Sequence, residues 1–419
     1  MTFSATDFRR LIVDDDRSVD MSEVSALLDS HGTPILTDDP ARPDHQRALF
    51  LWVADPADRL DGVYVWVNRL TDKRHVDAGV MRRRPGSSIW WTELTVPRGT
   101  MAGYRIYPFT VSSPGIRDGR VEYSREIVRQ ARPDPHNLLV RAGSSFASVL
   151  RTDGSPDLTM FTTGSDGHVA EIQTGALDVD GTVLRYRIVG ADTPAPTDLL
   201  LVFDAEKWFD RHHLPAVLTA ANDGSGRSFT VIGVDSPADS SERLRVLGGN
   251  RPVIDAIAGL VGRSIHEMPT TPTRIVVAGQ SLGGLAALTL AAWHPGLVDE
   301  VLAYSPSVWW RPGLRSRPAQ VGDPQRWIHD QLRDAADSST EIRLAAGQFE
   351  EELAPNVAGL AETVEALGHP TSFHLYPGGH DDAWWAALLL ADLTAVPNPA
   401  LSNPSPRSVS YTHLTLPTS

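Results

Sequence analysis

The sequence predicts an α/β protein, a mostly parallel, doubly wound sheet preceded by a small all-β sandwich. Three observations predict it. From about residue 199 near-continuous apolar runs alternate with helix-forming stretches. Strands buried on both faces read as unbroken Val, Ile and Leu, and strand–helix alternation is the pattern of a parallel sheet. The first 150 residues carry instead short β-branched and aromatic runs separated by Pro, Gly and Asp, which is sandwich text. Finally, the run Arg274–Ala278 leads into a serine-bearing glycine turn and then a helix-forming stretch. At about 150 residues per domain, 419 residues hold two or three such units.

An amphipathic segment, Ser22 to Leu28, predicts a helix ahead of the first strands. Strands are then predicted at Ala48–Val53, Val63–Val67, Ile89–Leu94 and Tyr104–Pro108, building an immunoglobulin-like sandwich within residues 1–150. The text turns to Ser, Gly, Asp and Thr from about Ala142 to Asp166, and residues 151–166 are assigned as a linker. Two strands at His168–Ile172 and Val183–Val189 open the second domain, residues 167–396. Leu199–Phe203, Phe229–Val234, Arg274–Ala278, Glu341–Ala346 and Thr371–Tyr376 follow as buried strands, with a helix at Leu285–Trp293. Pro, Ser and Asn dominate residues 397–419, which predicts a disordered tail.

Composition narrows the function. Hydrophobic residues make up 41% and charged residues 21%, an ordinary globular balance. With no cysteine, disulfides, thiolate nucleophiles and Cys-based zinc or iron–sulfur sites are excluded. A formal net charge of -14 argues against general nucleic-acid binding. No apolar run reaches the ~18 residues of a membrane span, and no basic-then-apolar segment opens the chain. A cytoplasmic protein with neither a membrane nor a nucleic-acid partner is expected.

The strongest chemical signal is Gly279-Gln280-Ser281-Leu282-Gly283-Gly284. A G-x-S-x-G between strand and helix holds its serine on a sharp corner, hydroxyl exposed above the sheet. The Leu282 N–H, at the helix amino end, is then placed to donate to an oxyanion. A serine hydroxyl needs a base, and His380 follows the last predicted strand in Pro377-Gly378-Gly379-His380-Asp381. The acid is expected after the strand ending near Ala346, where Glu350, Glu351 and Glu352 stand side by side. Spacing does not choose among them. Asp381 and Asp382 read as helix-starting residues, and no histidine cluster has metal-ligand spacing.

Gly279 to Leu285, then Ser305-Pro306-Ser307-Val308-Trp309-Trp310, then Gly378-Gly379-His380-Asp381 with Trp385, resemble the enterochelin (enterobactin) esterase family. Gly32–Ile35, Phe50–Trp52, Val65–Asn68 and Asp134–Asn137 are similar to that family's β-sandwich domain and its exit linker. The resemblance spans about residues 20–396 and implies the α/β-hydrolase fold of the esterase D group. It implies that Glu350 is the acid, three residues after the glycine ending its strand. It also implies an oxyanion turn at Phe203-Asp204-Ala205, with the Ala205 N–H as second donor where the family has glycine. At Ser241–Leu244 the family's Arg-x-x-Glu-Leu pattern is scrambled, while Asn250 after it is retained.

The activity implied is hydrolysis of the esters of a ferric catecholate siderophore, with no cofactor, since iron arrives inside the substrate. A substrate of about three negative charges asks for cationic and aromatic walls. Arg82, Arg83 and Arg84 in the first domain, Trp309, Trp310, Arg311 and Arg315 are the candidates. Trp208, Trp309, Trp310, Trp384 and Trp385 lie on or beside the catalytic loops and predict an aromatic-lined cleft. Two other readings stay open: an esterase or acyltransferase for another ester, such as a feruloyl or acetyl sugar ester, and a non-catalytic siderophore- or protein-binding module. The oligomeric state is not readable.

Overall fold

The computed structural model describes residues 4–14, 19–55, 57–143, 146–162, 171–190, 197–221, 227–314, 326–335 and 339–394. The expected tail at 397–419, Arg315, and residues 163–166 of the expected linker lie outside the described residues.

The amino-terminal part is a sandwich of antiparallel sheets. Strands β1 (Ile35–Asp38), β2 (His45–Val53), β3 (Gly62–Val67), β4 (Arg82–Arg83), β5 (Ile89–Pro97) and β6 (Met101–Phe109) come first. A small hairpin, β7 (Ile116–Arg117) and β8 (Arg120–Val121), and then β9 (Ser148–Arg151) follow. One sheet has the order β1-β2-β5-β4 and the other β3-β6-β9. Period-two patterning explains the layers. On β2, Ala48 and Phe50 turn inward to meet Val65, Tyr104 and Leu150. Leu49 and Leu51 turn outward, where Phe8 and Leu28 cover them from helices Ala5–Val13 and Met21–His31.

Two details differ from the sequence reading. Asp134–Asn137 is not an exit linker but a buried knot within the sandwich. Asp134 accepts from Thr33 at 2.6 Å and Tyr104 at 2.8 Å, while the Asn137 amide donates to the carbonyls of Thr33 and Val149. The Ser-rich stretch after Ala142 also contains β9, which pairs with β6.

The carboxyl-terminal part is one sheet of β10 (Ile172–Val179), β11 (Thr182–Val189), β12 (Thr197–Phe203), β13 (Ser228–Val234), β14 (Ile275–Gln280), β15 (Glu300–Tyr304), β16 (Glu341–Gly347) and β17 (Thr371–Tyr376). Its order is β10-β11-β13-β12-β14-β15-β16-β17. The first two pairings are antiparallel and the other five parallel. Along β12, Leu199, Leu201 and Phe203 enter the core on one face, and Leu200 and Val202 enter the core on the other. That double burial is what an unbroken apolar strand requires. Strand β10 begins at Ile172, and residues 168–170 of the strand expected at His168–Ile172 lie outside the described residues. Among the described residues, no helix is long and apolar enough to cross a membrane.

Candidate active site

The carboxyl ends of four adjacent parallel strands converge on one site. Ser281 follows β14, Ser305 follows β15, Glu350 follows β16 and His380 follows β17. Open parallel sheets place ligands at this edge because their βα loops all leave there.

Ser281 has φ 56° and ψ −118°, a strained conformation for a residue with a Cβ. Its neighbours hold it there. The Ser281 N–H donates to Tyr304 O at 3.0 Å, and Ser307 N–H donates to Ser281 O at 2.9 Å. A Cβ on Gly279 would lie 2.3 Å from Gly283, so only glycine lets the strand meet the helix Leu282–Trp293 this closely. The Ser281 and Ser307 hydroxyls lie 3.4 Å apart.

Glu350 is the carboxylate that meets the imidazole. His380 Nδ1 stands 2.6 Å from Glu350 Oε1. The other oxygen, Oε2, accepts from Ser305 Oγ at 2.6 Å and from Gly347 N–H at 2.8 Å. Burial alone would push this carboxyl up, but His380 and these hydrogen bonds hold it below its ordinary value. Glu351 is exposed and pairs with His75 at 3.6 Å, and Glu352 begins the helix Leu353–Ala366. The three adjacent glutamates therefore separate into one buried partner of His380 and two at the surface.

A buried frame stands behind the pair. Tyr376 and Ser305 hydroxyls lie 2.9 Å apart, and Trp385 Nε1–H reaches both, at 3.1 and 3.3 Å. The Trp385 ring meets the His380 ring edge-on, with centroids 4.7 Å apart. Asp381 caps the following helix through the Ala383 N–H, as its sequence position suggested.

Ala205 needs no glycine. It has ordinary helical angles, φ −61° and ψ −27°, and the positive φ of the turn falls on Asp204, at 57°. Asp204 is fully buried and fixed by Arg243, whose Nε and Nη2 donate to its two oxygens at 2.8 and 2.7 Å. Gln280, one residue before Ser281, donates to the same carboxylate at 3.0 Å. Asp204 thus joins both Arg243 and the residue preceding the elbow to the turn carrying Ala205. The 241–244 segment, read in sequence as a scrambled motif, supplies this arginine from 39 residues away.

The expected substrate wall is largely corrected. Trp310 is 4% exposed and donates to Gly248 O, so it belongs to the core. Trp208, Trp384 and Trp385 are buried as well, which leaves half-buried Trp309 as the one candidate of the five for a cleft wall. Tryptophan burial there is explained by packing against the sheet and the helix Asp382–Leu393. Arg84 is buried, whereas Arg82 and Arg83 are exposed on β4 over the rings of Trp91 and Trp90. Arg311 is exposed. Sequence reasoning missed a cleft beside Glu350. Arg69 and Lys73, together with Asp72 and His75 from the same stretch after β3, line it with Phe349 to Leu353.

Known proteins match along nearly the same span. Residues 47–161 match the family model described as "Enterochelin esterase, N-terminal", and residues 258–396 match "Putative esterase". The chain is 31% identical over 376 residues to an iron(III) salmochelin esterase of Escherichia coli O6:H1, covering 86% of this chain and 90% of that one. It is 24% identical to an iron(III) enterobactin esterase of Escherichia coli K12, covering 84% and 91%. The crystal structure of a ferric enterobactin esterase from Salmonella typhimurium superposes with a TM-score of 0.69 at 20% identity, covering 87% and 96%. Both parts of the fold, in the same order, are shared with these proteins, and the chain belongs to the enterochelin esterase family of carboxylic ester hydrolases with the α/β-hydrolase fold.

Proposed function

We propose that this protein hydrolyses the ester bonds of a ferric catecholate siderophore, with Ser281 as nucleophile, His380 as general base and Glu350 as the orienting acid. The observation that supports the chemistry is the 2.6 Å contact of His380 with the buried Glu350, on loops that leave the same sheet edge as the strained turn of Ser281. Glu350 binds Nδ1, so the proton of neutral His380 sits on that nitrogen and Nε2 is left to accept. Nε2 takes the Ser281 proton as Oγ attacks the ester carbonyl, and Glu350 stabilises the imidazolium that forms. The Leu282 and Ala205 N–H groups receive the oxyanion. His380 then gives its proton to the departing alcohol, and a water activated by the same nitrogen hydrolyses the acyl-enzyme.

The substrate class is supported by the relatives, named as iron(III) salmochelin and enterobactin esterases. Iron enters as part of the substrate. Trp309, Arg82, Arg83 and Arg311 stay as proposed binding residues, joined by Arg69 and Lys73 at the cleft beside Glu350.

The test is incubation with ferric and iron-free catecholate trilactones beside a feruloyl ester, read by mass spectrometry. Release of acylated serine from the trilactones in preference to ferulate is the expected result, and the reverse preference overturns the substrate. Ser281→Ala should abolish turnover, and retention above ~1% would mean that the nucleophile is another residue.

A further inference from the structure

The His380 loop has a second support that is not part of the hydrolase sheet. Three hydrogen bonds reach it from the sandwich, at β6 and at the end of β3. Met101 N–H donates to Pro377 O at 3.3 Å, and Gly103 N–H donates to Asp381 Oδ2 at 2.7 Å. Between them, Asn68 Nδ2 donates to the main-chain carbonyl of His380 itself, at 2.8 Å. Asn68 is in turn fixed by its own N–H, which donates to Gly103 O at 3.0 Å. Only the amide nitrogen can serve here, since the partner is a carbonyl.

The glycines of the loop fit this closeness. A Cβ on Gly379 would lie 2.5 Å from Asn68 Oδ1 and 2.5 Å from Arg69 Cγ. A Cβ on Gly378 would lie 3.0 Å from Met101 O as well as colliding with the Trp384 ring. Gly378-Gly379 therefore admits the sandwich up to the histidine, besides allowing the turn. Asp381 adds to the seam, because one of its oxygens caps the Asp382–Leu393 helix and the other takes the Gly103 N–H.

We infer that the sandwich is a working part of the catalytic centre, with Asn68 a positioning residue that fixes the backbone of His380 for proton transfer. This rests on the reading of His380 as the general base. A domain serving only as a substrate wall would leave small esters untouched when perturbed. A domain that sets the imidazole affects every ester, because proton transfer falls steeply when the base is displaced.

The experiment uses the full chain and two substrates, a small neutral p-nitrophenyl ester and a ferric catecholate trilactone. Asn68→Asp keeps the size of the side chain but removes the donor and sets a carboxylate against the His380 carbonyl. Asn68→Ala removes the contact, and Gly379→Ala retains Asn68 while forcing it away. For all three, kcat on the small ester should fall roughly 10- to 100-fold with KM nearly unchanged. Labelling of Ser281 by a fluorophosphonate should slow in parallel, since it needs the same base. The far-ultraviolet circular dichroism and cooperative melting of Asn68→Asp should match the wild type, which separates positioning from misfolding. Wild-type kcat on the small ester in Asn68→Asp and Asn68→Ala, with a raised KM on the trilactone alone, overturns the inference. His380→Ala tests the reading beneath it: if that variant still turns over either ester, His380 is not the base, whatever Asn68 does.

Discussion

Glu350 and Asp381 are both buried carboxylates serving the loop of His380, yet their surroundings drive them in opposite directions. Glu350, on the hydrolase side, faces an imidazole and two hydrogen-bond donors, and despite its burial it is held below the ordinary carboxylate range. Asp381, on the sandwich side, faces two neutral backbone N–H groups, and burial pushes it up to about 6. Asp204 is a third case. Burial would raise it as well, and the Arg243 guanidinium overrides that and keeps it low. The difference shows what makes a buried carboxylate a source of negative charge. A cationic or ionisable partner is needed, and amide donors alone do not offset the loss of water.

Breaking each pair measures that distinction. The largest effect on turnover is expected for Glu350→Gln, which leaves a neutral amide beside the imidazole. The rate should fall by ~10²–10⁴, while Glu351→Gln and Glu352→Gln stay near the wild type in the same assay. If all three variants keep wild-type rates, the enzyme works as a Ser281–His380 dyad and the buried carboxylate has no electrostatic role.

Arg243→Met comes next, because it leaves Asp204 buried without its cation. Removing one partner of a buried pair costs about 3–5 kcal/mol, so chemical denaturation should show a loss of that order. Turnover should fall too, through displacement of the turn that carries Ala205. Arg243→Lys should recover part of the stability but not the two-pronged grip. A denaturation midpoint unchanged in Arg243→Met would show that Asp204 has other means of staying charged.

Asp381→Asn should give the smallest effect, visible as a pH dependence. A carboxyl raised in the folded state binds its proton more tightly than in the unfolded chain. Its ionisation therefore costs stability above pH 6, and that cost is relieved as pH falls below it. Asparagine does not titrate. From pH 7 to pH 4.5 the wild type should gain about 2 kcal/mol relative to Asp381→Asn, measured by urea unfolding at both values. Parallel curves for the two proteins would mean that Asp381 titrates as an ordinary surface carboxyl.

How far the site was readable from sequence follows from the same geometry. Ser281, Glu350 and His380 stand at the ends of three parallel strands of one sheet, so apolar runs locate them and the glycine turn points to the proposed nucleophile. Asn68 is 312 residues from the histidine whose backbone it holds. A side chain that binds a main-chain carbonyl leaves no pattern of residue types at the other end. Arg243 was misjudged for a related reason: its partner Asp204 lies on a different βα loop, and neither position marks the other. The tryptophans erred in the opposite sense, because proximity in sequence to catalytic loops does not say which face of a helix is covered. Trp384 and Trp385 open the helix Asp382–Leu393 and pack beneath the loop rather than over it.

The Asn68 amide grips the peptide carbonyl of His380 and leaves the ring alone. Replacing the imidazole by a methyl group therefore leaves this grip available, along with those on Pro377 and Asp381. His380→Ala should consequently be a substrate trap, a folded protein with its mouth and elbow in place but no base to start the reaction. An intact ester soaked into such crystals would remain uncleaved in the cleft, with its scissile carbonyl displayed against Ser281.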